Sequence, residues 1–386
     1  MTRNTRVAIV HDWLDTWRGG ENVLAEIVAL YPDADLFALV DFLPEALRPR
    51  LLDKRARTSF LQHLPGARRH FRAMLPLFAR AIESLNLSGY GLVISSSHAV
   101  AKGVRSTPAQ LHICYCHTPV RYAWDLREQY LAAGVLASGV RGTIVRRMLD
   151  RLRDWDRISS KRVNRFVANS AFIRDRIARC YGRDAAVIHP PVDVEFFTPG
   201  MASLAPAARG YYLTASRFVP YKRADLIVEA FQQFPNRRLI VIGEGPEEPR
   251  IRAVAGTNVE FAGEVPRQRL RELLRGARAF MFAAEEDFGI LPVEAQACGT
   301  PVIAYGRGGA LETVRGVGKL RPTGLFFTNQ TADSIAAAVT EFETLEQNIA
   351  AADCRDNAEQ FSTERFRREF RQFVDQTWSD FTAGAR

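Results

Sequence analysis

The chain has 386 residues, 47% of them hydrophobic and 25% charged, and a formal net charge of +9. That length exceeds one ordinary core and suits two domains of about 150 to 200 residues, while the composition excludes a disordered or low-complexity chain. The charge points to an acidic partner, whether nucleic acid, anionic lipid or a phosphorylated substrate, without choosing among them.

No apolar run approaches the roughly 18 residues that span a bilayer. Val7 to Val10 lies inside a strand pattern, so a cleaved secretion signal is not expected. Cys114, Cys116, Cys180, Cys298 and Cys354 are odd in number and lack CxxC spacing, which argues against a disulfide scaffold or zinc ribbon and for a reducing cytoplasm.

Strand-like apolar runs alternate with helical stretches along the whole chain, the pattern of parallel sheets covered on both faces. In the first half the spacing predicts strands at 6–11, 35–40, 92–97, 111–117, 165–169 and 185–189, with helices at 21–30, 69–85, 140–160 and 171–181. Pro190, Pro191, Pro199, Gly200 and the small-residue stretch 201–210 interrupt the pattern and predict a boundary between a domain over 1–197 and another over 206–362. The second alternation predicts strands at 211–216, 238–243, 259–263, 279–284 and 302–305, and helices at 224–234, 267–276, 292–298, 331–345 and 363–381. The last helix is expected to pack back toward the first domain.

Within this frame, Glu286 and Glu294 stand eight positions apart around Gly289, in a turn that follows a strand and opens a helix. Such a turn offers backbone N–H groups, a partly positive helix start and hydroxyl-binding carboxylates to one ligand. A nucleotide-activated sugar needs all three. Arg217 and Lys222 follow the first strand of the second domain, Gly19 and Gly20 follow the first strand of the chain, and His117 ends another strand. Neither Gly19-Gly20 nor Gly243-Glu244-Gly245 is a GxGxxG fingerprint, which disfavours a nicotinamide dehydrogenase. Singly, these residues read equally as solvated loop charges, and Asn169 and Ser170 read as a helix cap.

Taken in order, the motifs resemble the retaining glycosyltransferases of family 4, whose GT-B fold has two Rossmann-like domains facing each other across a cleft. The segment from Glu286 to Ala304 is similar to that family's EFGxxxxE signature and its EAxAxGxPVI extension, with Cys298 where a small residue is usual. The resemblance implies that Glu294 holds the donor ribose and Glu286 the transferred sugar. It also implies backbone contacts to sugar and phosphate from Phe288, Gly289, Ile290 and Leu291. Arg217 and Lys222 resemble the pair that clamps the departing diphosphate, Gly19 and Gly20 the first-domain glycine loop, Gly243 and Val265 the nucleotide edge, and His117 the histidine aimed at the sugar. His11, Asp12 and Arg121 lie near the same edge as weaker acceptor contacts.

The run CHTPxRYAWD, beginning at Cys116, resembles bacterial mannosyltransferases of surface-polysaccharide assembly and makes GDP-mannose the first choice of donor. The resemblance implies front-face attack without a protein nucleophile; no metal-ligand cluster or DxD motif stands in a suitable loop, so no cofactor and no required metal are expected. The acceptor is expected to be a glycan or a polyprenyl-diphosphate-linked glycan. Between Arg48 and Arg80 nine basic residues oppose one acid, interleaved with Phe60, Phe71 and Phe78. This suits either an amphipathic helix at an anionic membrane, hence a peripheral place on the inner face of the cell membrane, or a solvated helix face. Nucleic acid is not expected as a partner. The alternatives are a GT-B nucleotide-sugar epimerase and a basic protein binding nucleic acid or another anionic surface.

Overall fold

A computed structural model describes residues 5–121, 123–124, 139–200 and 210–384. Residues 201–209 of the small-residue stretch, and Tyr122 and Asp125 of the histidine-bearing run, fall outside these residues. The chain divides into two units, one of Met1–His189 with Phe366–Arg386 and one of Pro190–Arg365.

The first unit is built on β1 (Val7–His11), α1 (Gly19–Leu30), β2 (Asp35–Ala38), β3 (Arg57–Thr58), β4 (Leu92–Ser97), β5 (Leu111–Cys116), α2 (Gly139–Ser159), β6 (Arg165–Ala168), α3 (Ala171–Tyr181) and β7 (Ala185–Val187). All seven strands are parallel, in the order β3-β2-β1-β4-β5-β6-β7. Because side chains alternate along a strand, Ile9, Ile94 and Ile113 enter one core with α1, while Ala8, Val10 and Val93 enter another with Phe71, Phe78 and Ile82. Burial on both faces explains why these strands read as unbroken apolar runs.

The second unit carries β8 (Tyr211–Ala215), α4 (Ala224–Ala230), β9 (Leu239–Ile242), β10 (Val259–Gly263), α5 (Arg267–Gly276), β11 (Ala277–Phe282), α6 (Ile290–Ala297), β12 (Val302–Tyr305), β13 (Gly324–Phe327), α7 (Ala332–Leu345) and α8 (Ala351–Glu359). Its six strands are also parallel, in the order β10-β9-β8-β11-β12-β13. Val192, Val194 and Phe197 belong to its core with Leu213 and Phe280, and the Val192 N–H donates to the Phe361 carbonyl at 2.8 Å. Residues 190–197 therefore join the second unit, earlier in the chain than the expected boundary after 197.

The final helix, α9 (Thr363–Gly384), carries Phe366, Phe370 and Val374 at four-residue spacing, and all three are buried in the first unit's core. The Phe366 and Phe370 rings stack with centroids 5.5 Å apart, and the Tyr115 ring meets both edge-on at 5.8 and 6.2 Å. The last turns of the chain are thus part of the first sheet's cover.

Two expected helices need correction. The single helix at 69–85 is instead three short pieces, Ala67–His70, a tighter turn Phe71–Leu77 containing Pro76, and Phe78–Glu83. Proline supplies no N–H and clashes with the preceding turn. The apolar side of this segment also points inward, with Phe71, Phe78, Ala81 and Ile82 in the core. The helix expected at 292–298 runs Ile290–Ala297, and β3, β13 and α8 were not anticipated.

Phe370→Ala should lower unfolding free energy by about 3 to 5 kcal/mol, the usual range for emptying a buried aromatic site. Urea unfolding measures it, and a loss below about 1 kcal/mol would mean that α9 is not held by these rings.

Candidate functional site

In a parallel sheet every strand stops at the same edge, so the loops that leave it converge. In the second unit the loop after β8 carries Arg217, exposed, and Lys222, half-buried, on either side of the buried anchor Phe218. Gly243, after β9, has φ +129°, and a Cβ there would overlap the Ser216 carbonyl oxygen. Only glycine permits that backbone and that approach. The Gly243 N–H donates to the Gly263 carbonyl at 2.9 Å, which ties the loop to the end of β10, and Val265 lies half-buried just beyond.

After β11 the loop Glu286–Gly289 is braced by Gly309, whose N–H donates to the Glu286 carbonyl at 2.8 Å and whose missing Cβ would overlap the Phe288 Cα. Phe288 itself is buried, its ring 5.5 Å from that of Phe361, so its side chain anchors the loop. Gly289, at φ +87°, turns the chain into α6 and leaves the first N–H groups of Ile290 and Leu291 at the helix start. Gly308 and Gly309 were missed by sequence reading. Their adjacency in a loop after a buried strand was the available signal.

Lys222 and Glu286 form an ion pair with each other, each side chain 18% exposed. Glu294 lies in the second turn of α6, because the helix starts earlier than expected, so its charge is not favoured by the helix start. Among the described residues no hydrogen bond reaches its carboxyl group. Burial pushes its pKa from 4.5 up to about 7, with Arg267 opposing the shift and Asp193 adding to it. The fold therefore pays for a carboxyl group it does not use internally.

In the first unit β1, β4 and β5 are neighbours, which brings His11, Asp12, His98 and His117 to one edge beside the start of α1. A Cβ on Gly20 would lie 3.9 Å from ring atoms of both His11 and His117. Gly19 opens α1, after a capping arrangement in which the Arg18 N–H donates to Glu21 at 2.8 Å.

Asp12 is fully buried and accepts backbone N–H groups from His98 (2.6 Å), Ala99 (3.0 Å), Val100 (2.5 Å) and Ala101 (2.6 Å). Burial alone would raise its pKa, but His98, His11 and these donors leave it below the ordinary value. Its oxygens are consumed inside the fold, so Asp12 is not an acceptor contact. His11 is equally inaccessible, its Nδ1 3.1 Å from the Ser96 carbonyl oxygen and 3.2 Å from the Ser96 hydroxyl, its Nε2 3.6 Å from Glu21. These two expected contacts are buried supports.

The Ser96 hydroxyl also lies 2.9 Å from His117 Nε2. A carbonyl can only accept, so His11 carries its proton on Nδ1, and Ser96 is left to donate to His117 Nε2. His117 then keeps its own proton on Nδ1. Burial, with His98 and His11 nearby, depresses its pKa to about 3, so the ring is neutral. Arg121 is half-buried and adds positive potential at His98. Asn169 donates to the His117 carbonyl at 3.0 Å, and Ser170 caps α3 by accepting the Ile173 N–H. Ser96 and His98 were not anticipated, although a buried strand closing on Ser95-Ser96-Ser97-His98 is a polar run worth questioning. Among the described residues no cluster of His, Cys, Asp or Glu could hold a metal ion.

Residues 17–196 match the family described as Glycosyltransferase Family 4, and residues 202–361 match Glycosyl transferases group 1. Together these span most of the chain, which belongs to glycosyltransferase family 4. It is 31% identical over 166 residues to a D-inositol 3-phosphate glycosyltransferase of Mycobacteroides abscessus, covering 38% of each chain, so the match spans well under half of that relative. It is 29% identical over 273 residues to a GDP-mannose-dependent monoacylated alpha-(1-6)-phosphatidylinositol monomannoside mannosyltransferase of Corynebacterium glutamicum, covering 64% of this chain and 70% of the relative. Among solved structures, HepE of Anabaena in complex with UDP and glucose superposes with a TM-score of 0.69 at 17% identity, over 95% of this chain and 99% of that one. The fold is GT-B, with its two parallel Rossmann-like sheets.

The Glu294 shift has a definite sign. Below pH 4.5 the carboxyl group is neutral whether folded or unfolded and costs nothing; between 4.5 and 7 only the unfolded chain ionises, so stability falls as pH rises and levels off above 7. Glu294→Gln should therefore stabilise the unliganded protein by about 1 to 3 kcal/mol at pH 8 and by almost nothing at pH 4. Urea melts at both values decide this, and equal or lower stability at pH 8 would contradict the reading.

Proposed function

We propose that this protein is a retaining glycosyltransferase that takes a sugar from a nucleoside-diphosphate donor held by its second unit and moves it onto a hydroxyl of a glycan or polyprenyl-diphosphate-linked glycan. The observation that carries the proposal is the convergence, at one edge of one sheet, of two cations, two carboxylates and the glycine-built start of α6. Arg217 and Lys222 meet the diphosphate, Glu294 takes the ribose hydroxyls, and Glu286 takes hydroxyls of the transferred sugar. Backbone N–H groups from Phe288 to Leu291 reach sugar and phosphate, and the main chain at Gly243 and Val265 borders the base. On this reading the diphosphate displaces Glu286 from Lys222 and frees it for the sugar.

In the reaction the bond from the anomeric carbon to the diphosphate oxygen breaks, and the acceptor hydroxyl bonds to that carbon from the same face. A phosphate oxygen takes the hydroxyl proton. The electron pair of the broken bond stays on the diphosphate, where positioned cations lower the barrier. The remaining catalysis is orientation.

Mannose from GDP-mannose is the proposed donor sugar. The Corynebacterium relative, whose name specifies GDP-mannose, supports it, as does the CHTPxRYAWD run. A peripheral place at an anionic membrane is supported by exposed Leu52, Phe60 and Leu77 among Arg50, Arg55, Arg68, Arg69 and Arg72. No helix among the described residues is long and apolar enough to cross a membrane.

Thermal-shift titration with GDP-, UDP- and ADP-sugars should show saturable stabilisation, largest for GDP-mannose. Stabilisation by none of them would remove the proposal, and a larger effect from another base would replace the donor. With the responding donor, Lys222→Ala should cut turnover by about 10² to 10³, and a wild-type rate would remove its assigned role. Flotation with vesicles should be salt-sensitive and require anionic lipid; equal recovery with neutral vesicles would count against the membrane site.

A further inference from the structure

His98 is unused in the assignments above, yet its setting is unusually determined. Its Nδ1 stands 3.0 Å from Asp12 Oδ2, and that carboxylate is wholly buried and already fixed by four backbone N–H groups, including the N–H of His98 itself. The carboxylate stays ionised and can only accept, so the His98 ring carries its proton on Nδ1. The Trp13 ring meets the imidazole edge-on at 4.5 Å and sets its plane. The far nitrogen, Nε2, is left as a lone pair on a side chain that is 31% exposed, and no described residue hydrogen-bonds to it. The rings of His11 and His117 lie 5.7 and 6.3 Å away.

His117 is fixed in the opposite sense. Ser96 occupies its Nε2, so the proton it has to offer is on Nδ1. One edge of the first sheet thus presents a neutral imidazole that donates beside a neutral imidazole that accepts, each locked by a buried partner. A hydroxyl group both donates and accepts, and it is the group that such a pair recognises. A phosphate would meet a lone pair at His98 and is not favoured there.

We propose that His98 is a substrate-contacting residue whose Nε2 accepts a hydrogen bond from a sugar hydroxyl, complementing donation from His117, with Asp12 as the residue that positions it. The proposal rests on the reading of this chain as a glycosyltransferase. The hydroxyl comes from the transferred sugar or from the acceptor, and the two sources separate experimentally.

The full chain labelled with 15N-histidine is titrated with GDP, GDP-mannose, UDP, UDP-glucose and methyl α-D-mannopyranoside. The His98 signals are assigned by their loss in His98→Gln. Free protein should show the Nδ1–H tautomer at His98, and its Nε2 resonance should move on hydrogen bonding. Movement with a nucleotide sugar but not its nucleoside diphosphate places the hydroxyl on the donor; movement with the free glycoside places it on the acceptor. An Nε2–H tautomer, or no movement with any sugar, overturns the proposal. The nucleoside diphosphates report separately on the donor reading, since failure of every one to bind would sink that reading while the glycoside still decides His98. As a second measurement, His98→Ala should weaken binding of the sugar that moves the resonance about five- to a hundredfold. His98→Gln, whose amide oxygen reaches toward the Nε2 position, should recover part of it, and His98→Asn should not. Equal binding by all three variants would also overturn the assignment, and their melting temperatures separate a fold defect from a lost contact.

Discussion

Parallel strands end together, and this constraint organises both units. A chain that crosses a sheet always in one direction must leave every strand at the same edge, so loops distant in sequence are forced into one neighbourhood. What fills that neighbourhood is then decided by backbone chemistry. In the second unit glycines at 243 and 309 remove the atoms that would hold the loops apart, and the main chain of one loop becomes the support of the next. In the first unit three adjacent strands each end at or one residue before a histidine, and the buried Asp12 and Ser96 contact the rings.

The two edges handle charge differently. In the second unit Lys222 is ion-paired with Glu286, and Glu294 has its pKa raised by burial without a hydrogen-bonding partner among the described residues. Such groups weaken a fold at rest and become useful when a ligand supplies what they lack. In the first unit the negative charge of Asp12 is met by backbone donors, and the half-buried rings of His98 and His117 are neutral. A cationic and carboxylate-bearing edge suits a diphosphate with its sugars, and a neutral edge of paired donors and acceptors suits hydroxyl groups.

Much of this was legible in the sequence because the informative residues were local. The strands at 92–97 and 259–263 and the helices at 171–181 and 267–276 follow from uninterrupted periodicity, and the structure has them at those bounds. The helix at 69–85 failed because its apolar spacing survives the break at Pro76, while the backbone hydrogen bond does not. The strand Arg57–Thr58 is too short to carry a period, and Gly324–Phe327 opens on a glycine; each pairs with a neighbouring strand. At the site, Arg217, Lys222, Glu286 and Glu294 were visible as charges after strands. The burial of His11 and Asp12 was not, since proximity to an edge does not say which way a side chain turns. His98 was hidden for the same reason: its significance lies in a carboxylate 86 positions away in sequence.

The central claim is the proposal that Arg217 and Lys222 hold the donor's diphosphate. Calorimetric titration of nucleoside diphosphates into the wild type, Lys222→Ala, Arg217→Ala and His117→Ala tests it most directly. The account predicts that the first two variants bind the diphosphate at least about tenfold more weakly, and that His117→Ala binds it like the wild type. Undiminished binding by Lys222→Ala and Arg217→Ala would contradict it.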